Sequence, residues 1–139
     1  MGMGYAGGYA DVIDQENLIK LGKCKMILNQ LEEVLDKEGY CLESFARGLM
    51  SDCYEMDDAP SNKCFKLYKS LKKEFKKISG GLELELNFHD CDEEGDRYDD
   101  VNGAYWSVDG LYEETKKFKN FKKKFKNIKI ERAHFVNFG

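Results

Sequence analysis

Apolar positions in residues 14–79 follow the three- and four-residue spacing of amphipathic helices. Asp14 has the side chain of a helix N-cap, and the acidic residues that follow it favour the positive end of a helix dipole. Gly22 interrupts the first pattern and Gly39 ends it as a C-terminal cap. A shorter helix follows, and Pro60 suits the first turn of a longer one. We therefore predict a helical part over these residues.

The period then changes from 3.6 to 2, which indicates β-strands. Residues 82–89 alternate leucine or phenylalanine with polar side chains and predict a half-buried strand. Further on, residues 104–108 and 111–113 flank Asp109-Gly110, the sequence of a two-residue type I′ hairpin. The closing run, residues 128–138, has apolar side chains on both faces near its end, which favours an interior strand.

One further helix is predicted between the hairpin and the last strand, where Phe118, Phe121 and Phe125 recur at helical spacing. Helices followed by strands, with one late helix, are typical of the α+β class. We predict N-terminal helices packed with a mainly antiparallel sheet of about four strands, with the lysine-rich late helix crossing one face. We also expect a single domain over residues 1–139, with a sheet part at residues 80–139.

The first thirteen residues show neither the helical period of 3.6 nor the strand period of 2. Four glycines and two tyrosines fall within the first ten residues, with no lysine and hydroxyl pair of a phosphate-binding loop after them. We predict a flexible glycine-rich arm at residues 1–13. The alternative is an arm whose backbone and tyrosines touch a partner or ligand.

Composition places the chain among folded proteins, because 42% hydrophobic residues are too many for a disordered chain. No window approaches the length of a membrane span, and the N-terminus lacks the pattern of a secretory signal, so we expect a cytoplasmic protein. The five cysteines include no close pair of the kind that holds zinc. We expect them to be reduced and mostly buried.

The net charge of −4 conceals four blocks of alternating sign. Residues 1–59 carry 5 basic and 12 acidic side chains, and residues 60–79 carry 7 and 1. Residues 80–115 carry 1 and 12, and residues 116–139 carry 9 and 1. Folding could either interleave these blocks or separate them into surfaces of opposite sign.

An acidic segment between the predicted strands is the first candidate site. Counted from Asp90, carboxylates recur at alternate positions and Gly95 follows, which is similar to the start of an EF-hand calcium loop. Val101 stands where that loop has its bidentate glutamate, and the flanking segments are predicted strands rather than helices. We expect no cofactor, and calcium remains the alternative. The residues that would hold calcium are Asp90, Asp92, Glu94 and Asp96.

The same segment also forms a row of carboxylates that can imitate the phosphates of nucleic acid. A protein that holds nucleic acid presents lysines and arginines, onto which spaced carboxylates would dock in a salt-sensitive manner. The competing interpretation is a solvated acidic turn. The predicted acidic binding surface consists of Asp90, Asp92, Glu93, Glu94, Asp96, Asp99 and Asp100.

Two lysine-rich helices support the opposite hypothesis, direct binding of nucleic acid. Seven lysines fall within residues 63–77 and seven within residues 116–126, enough to neutralise several phosphates. Both helices also carry an aromatic stripe that should face the core. The lysines are then equally well explained as the ordinary solvent-exposed face of each helix. Membrane binding would require the phenylalanines to leave the core, and we expect no membrane partner.

Aromatic and basic residues of the sheet part define an alternative pocket. If exposed, Tyr105 and Trp106 could stack on a nucleotide base, with Arg97 and Arg132 on its phosphates. The sequence offers few candidate catalytic residues, because His89 and Cys91 would lie too far apart along a strand to form a nucleophilic pair. We therefore do not expect an enzyme.

Three runs of the last third, Gly95–Val101, Tyr105–Tyr112 and Lys129–Arg132, resemble the closing part of small uncharacterised proteins from phages and mobile elements. Small acidic phage proteins include inhibitors of host defence, such as anti-CRISPR proteins. The resemblance implies a protein that acts in the bacterial host cytosol by binding a host protein. It supplies no functional motif to carry over.

These observations lead to a non-enzymatic binding protein. The leading hypothesis is a phage-type inhibitor of a host nucleic-acid-handling defence enzyme, acting through the acidic surface. The first alternative is a protein that sequesters a small nucleotide signal, and the second is a nucleic-acid binder that uses the lysine-rich helices. The sequence leaves the oligomeric state open, because free strand edges could pair between subunits.

Overall fold

The computed structural model describes residues 5–51, 59–89, 103–109 and 116–138, which form five helices and a four-stranded antiparallel sheet. The predicted α+β class is confirmed. No helix within these ranges is long and apolar enough to span a membrane. In chain order the elements are β1 (Tyr5–Ile13), α1 (Gln15–Leu18), α2 (Cys24–Lys37), α3 (Leu42–Ser51), α4 (Asn62–Ile78), β2 (Glu83–His89), β3 (Gly103–Asp109), α5 (Lys116–Lys124) and β4 (Ile130–Phe138).

The helix boundaries follow the predicted signals closely. Gly22 separates α1 from α2 in a left-handed conformation with φ +44°, and Gly39 follows α2 with φ +86°. Asp14 does stand at the start of α1, but its side chain makes no capping hydrogen bond. Its carbonyl oxygen instead accepts the N–H groups of Asn17 and Leu18. The predicted side-chain role of Asp14 is therefore wrong, while the predicted helix start is right.

The glycine-rich start of the chain is a strand rather than the predicted flexible arm. The strand order is β2-β3-β1-β4, so β1 lies inside the sheet. It pairs with β4 from Tyr5 to Ile13 and with β3 at Val12 and Ile13. Glycine and alanine give a strand no alternating apolar pattern, so its existence depends on neighbours that a local pattern cannot show.

The last strand lies at an edge of the sheet, which corrects the predicted interior position. Among the described strands β4 has β1 as its single neighbour, because β1 fills the place between β3 and β4. The predicted hairpin cannot be placed in the same way. Asp109 ends β3, but residues 110–115 lie outside the described residues, so the turn and its second strand stay predictions.

One face of the sheet carries the core. The strand register places Leu84 opposite Val108 and Leu86 opposite Trp106, and all four side chains are buried. Helix α3 packs against β2 and β3, and α2 packs against α4. The buried leucines of α2 at three- and four-residue spacing fill the space above this face, as the helical pattern predicts.

Helix α4 covers the free edge of β2. The hydroxyl of Tyr68 accepts the backbone N–H of Leu86 at 3.0 Å, which satisfies a donor that has no strand partner. Two lysines of α4 also lie near carboxylates of β2, with Nζ–O distances of 3.8 Å from Lys72 to Glu85 and 3.4 Å from Lys76 to Glu83. The basic and acidic blocks therefore interleave along this edge.

Helix α5 is anchored to the last turns of α4 by aromatic packing. Phe121 is 3% exposed, and its ring centroid lies 6.4 Å from that of Phe75 and 5.1 Å from that of Phe125. Gly81 lies just before β2, and a Cβ at this position would come within 3.4 Å of the Lys117 side chain. The start of α5 therefore lies near the end of the sheet where β2 begins.

Candidate functional site

The predicted acidic surface belongs to a segment whose two attachment points are described. Residues 90–102 lie outside the described residues, so neither the acidic binding surface nor the calcium hypothesis is placed. The segment leaves β2 after His89 and re-enters β3 at Gly103, and these two residues are directly paired in the sheet. Both ends of the acidic segment are therefore attached at the same end of the β2–β3 pair.

A carboxylate from α3 lies at this attachment point. Glu43 Oε2 accepts the backbone N–H of Ala104 at 2.8 Å. Gly103 adopts φ +97°, and a Cβ there would lie only 3.0 Å from the same oxygen. Glycine thus allows both the left-handed backbone and the close approach of the carboxylate. The contact fixes the first residues of β3 to α3.

A cleft of about 390 Å³ opens beside these residues. Two carboxylate residues, Asp14 and Glu43, line it together with apolar side chains that include Leu42 and Leu86. Asp14 follows the last residue of β1, at the point where β1 stops pairing with β3. We refer to Asp14, Glu43 and the paired strand ends His89 and Gly103 as the acidic end of the sheet.

Tyr105 also lines the cleft and is half-buried. Burial raises the pKa of its hydroxyl, and the nearby charge of Asp109 raises it further. The phenol therefore stays protonated at neutral pH. The carboxylates of Asp14 and Glu43 give the cleft a lining suited to a positively charged group.

The structure brings two residues of the alternative nucleotide pocket together, because Tyr105 and Trp106 both line the cleft. Trp106 is only 3% exposed and packs near Tyr68, so it serves mainly the core. Arg132 lies on β4, two strands from β3, and its Nε donates to Asp11 at 3.2 Å. It does not line the cleft, and Arg97 lies outside the described residues. The carboxylates in the cleft would repel a phosphate.

The residues considered for catalysis are also separated. His89 lies on β2 and His134 on β4, the two edge strands, so three strand spacings of about 4.8 Å separate them. Cys91 lies outside the described residues. Within the described part of the chain, no group of three histidine, cysteine or acidic residues could hold a metal ion. Among the described cysteines, Cys24 and Cys64 are buried and Cys41 is exposed.

The lysine-rich helices differ in how their charges are matched. In α4, Lys72 and Lys76 lie beside the carboxylates of β2. In α5, none of the lysines forms an ion pair with a described carboxylate, and Lys122 and Lys124 instead lie over aromatic rings. The positive charge of α5 is therefore left unmatched by the described residues.

Comparison with known proteins finds no matching family, no similar curated protein and no similar solved structure.

Glu43 is the site residue that the sequence pattern did not indicate. It lies 61 positions from the N–H that it binds, and an isolated exposed glutamate in a helix gives no local signal. Asp14 was identified as a helix start, with no sign that it would line a cleft. The single available signal was the glycine at residue 103, because a glycine that begins a strand often marks a close approach of other atoms.

Proposed function

We propose that the protein is a non-enzymatic binding protein whose acidic end docks onto a basic surface of another protein. The observation that carries the proposal is the position of Asp14 and Glu43, on the cleft beside the paired residues His89 and Gly103. The segment between those two strand residues contains seven acidic side chains in its first eleven positions. Carboxylates of this number attached to one end of a rigid sheet favour a partner rich in lysine and arginine.

The partner that best fits this chemistry is a protein that handles nucleic acid. Surfaces that hold nucleic acid present lysine and arginine to phosphates, and spaced carboxylates can occupy the same positions. Our choice of a bacterial host enzyme, in particular a defence enzyme, as that partner rests only on the expected likeness of the last third of the chain to small phage proteins. Occupation of its nucleic-acid surface would inhibit it without any catalytic step.

Charge reversal in the acidic segment tests the proposal. The tagged protein is used to capture partners from a nuclease-treated bacterial lysate, and captured proteins are quantified by mass spectrometry. The wild-type chain should retain one protein near one-to-one stoichiometry. The triple variant Asp96→Lys, Asp99→Lys, Asp100→Lys should lose it, because like charges at an interface oppose association.

A matched variant controls for the change in net charge. Glu33→Lys, Asp36→Lys and Glu131→Lys reverse three exposed carboxylates outside the acidic end, and this variant should keep the partner. Equal capture by the wild type and the acidic-segment variant would contradict the proposal. Equal loss by both triple variants would also contradict it, because the effect would then reflect total charge alone.

A further inference from the structure

Helix α5 presents a row of lysines on the side opposite to its aromatic anchor. At 100° per residue, Phe118, Phe121 and Phe125 share one face, and this face contains the buried residue of the helix. Lys116, Lys119 and Lys123 then fall on the opposite face at spacings of three and four residues, and all three are exposed. We refer to these three residues as the lysine stripe.

The other lysines of α5 lie beside the anchor instead. Lys122 Nζ lies 4.5 Å from the ring centroid of Phe118, and Lys124 Nζ lies 5.5 Å from that of Phe125. The Lys117 side chain lies close to Gly81. Cation–π contacts of this kind hold a charged group over a ring face. The lysine stripe has no such contact among the described residues and points its ammonium groups toward solvent.

The charge of this region is not balanced locally. Residues 116–130 contain eight lysines and no acidic residue. Like charges at three- and four-residue spacing destabilise a helix by about 0.2–0.5 kcal/mol per pair. Helix α5 tolerates this repulsion because its phenylalanines are packed against α4. A bound polyanion would reduce the repulsion between these lysines and would therefore stabilise the helix.

The start of α5 lies near the end of β2 opposite to the acidic end. Lys117 contacts the turn at Gly81 just before β2, whereas the acidic end lies where β2 finishes at His89. Seven strand residues span roughly 20 Å. This separation applies to the start of the helix, because the chain after α5 returns to Ile130, which pairs with Ile13 beside Asp14.

We propose that the lysine stripe of α5 is a second binding surface, and that it binds the phosphate backbone of nucleic acid without reading its sequence. Lysine acts on phosphate as a point charge, whereas base recognition relies more on arginine, and α5 contains no arginine. Three outward ammonium groups on one helix face match a short run of regularly spaced phosphates. The site lies on a different element from Asp14, Glu43, His89 and Gly103.

Fluorescence anisotropy with a labelled DNA duplex tests this proposal. The wild-type protein should bind two duplexes of unrelated sequence equally, with a Kd on the order of 10 to 100 µM at low salt. The plot of log Kd against log salt concentration should have a slope of about 3, since each neutralised phosphate contributes about 0.9. The variant Lys116→Gln, Lys119→Gln, Lys123→Gln should bind at least tenfold more weakly and lose most of that slope.

The matched control is Lys20→Gln, Lys23→Gln, Lys25→Gln, which removes the same charge from exposed residues around the start of α2. Glutamine keeps a similar helix propensity, and far-ultraviolet circular dichroism verifies the fold of both variants. The control should retain wild-type binding and slope. The proposal is overturned by an absence of DNA binding at low salt, or by equal losses in both variants. Binding to phosphatidylserine vesicles without binding to DNA would also overturn it, in favour of a membrane surface.

Discussion

The Glu43 carboxylate accepts the backbone N–H of Ala104 at 2.8 Å, across 61 positions of sequence. The bond fixes α3 to the start of β3, beside the residue at which the acidic segment re-enters the sheet. It also satisfies a strand N–H in the region past Ile13, where β1 no longer pairs with β3. One glutamate therefore has a structural role and contributes charge to the cleft.

Glu43→Ala and Glu43→Gln separate these two roles. Alanine removes the acceptor for the Ala104 N–H and should lower the free energy of unfolding by about 1 kcal/mol. Glutamine retains an acceptor oxygen without the charge and should stay within about 0.5 kcal/mol of the wild type. Urea denaturation followed by circular dichroism measures both values. If the glutamine variant is as unstable as the alanine variant, the stabilising contact depends on charge and not on the acceptor.

Gly22, between α1 and α2, and Gly39, between α2 and α3, test the contribution of left-handed glycines at the helix ends. Both have positive φ, so alanine at either position should cost about 1 kcal/mol of stability. A Cβ at Gly22 would also overlap Ile78 Cδ1, whereas a Cβ at Gly39 would meet no atom within 4 Å. Gly22→Ala should therefore destabilise the protein more, by about 2 kcal/mol in total. Thermal or urea denaturation of the two variants would show equal losses if the contact with Ile78 were unimportant.

The described cysteines should differ in their reactivity. Burial, followed by the charge of Glu74, raises the pKa of Cys24 to about 11, whereas hydrogen bonding with the backbone and side chain of Ser44 lowers the pKa of the exposed Cys41. The thiolate is the reactive form, so iodoacetamide at mildly alkaline pH should label Cys41 well before Cys24 or the buried Cys64. Peptide mass spectrometry of native and urea-unfolded protein measures the order. Equal labelling of Cys24 and Cys41 in the native protein would contradict the burial and the raised pKa of Cys24.

Glu38 should make the stability of the protein depend on pH in the acidic range. Its side chain accepts the hydroxyl of Ser61 at 2.6 Å and the backbone N–H of Ser61 at 2.8 Å. These hydrogen bonds lower the pKa of the Glu38 carboxyl in the folded state. Because the folded pKa is the lower one, the stabilisation is present above the ordinary glutamate pKa and is lost as the pH falls through the folded value.

Melting temperatures of the wild type and Glu38→Gln between neutral and acidic pH test this linkage. The wild type should melt higher than the variant at neutral pH, and the two curves should converge at acidic pH. Asp36→Asn, which changes an exposed carboxylate in the last turn of α2, should follow the wild type. A constant difference between the wild type and Glu38→Gln at every pH would show that the ionisation of Glu38 is not involved.

The helical half of the fold could be predicted because its information is local. The apolar spacing in α2 and α4 and the glycines at residues 22 and 39 each act within one or two helical turns. The β1 strand could not be predicted, because pairing with β4 and β3 gives it its conformation and its own residues carry no period. Once β1 takes the interior position, β4 is left at the edge.

The candidate site can be predicted only in part, because contacts between distant parts of the chain leave no local sequence pattern. The two pairs Lys72–Glu85 and Lys76–Glu83 show that the charge blocks interleave where α4 covers β2. The lysine stripe of α5 is visible in the sequence as the face opposite its phenylalanines. The approach of Glu43 to β3 depends on the packing of α3 against the sheet, which no spacing of residues reveals.

The most direct test of the proposed function is a competition for the partner's nucleic acid. A labelled duplex is bound to the protein captured by the acidic end, and the present protein is added while anisotropy is recorded. The titrant carries Lys116→Gln, Lys119→Gln and Lys123→Gln, so that it does not hold the duplex itself. We expect a fall in anisotropy to that of free duplex at one equivalent of the titrant. A stable or rising anisotropy, which indicates a ternary complex, would contradict it.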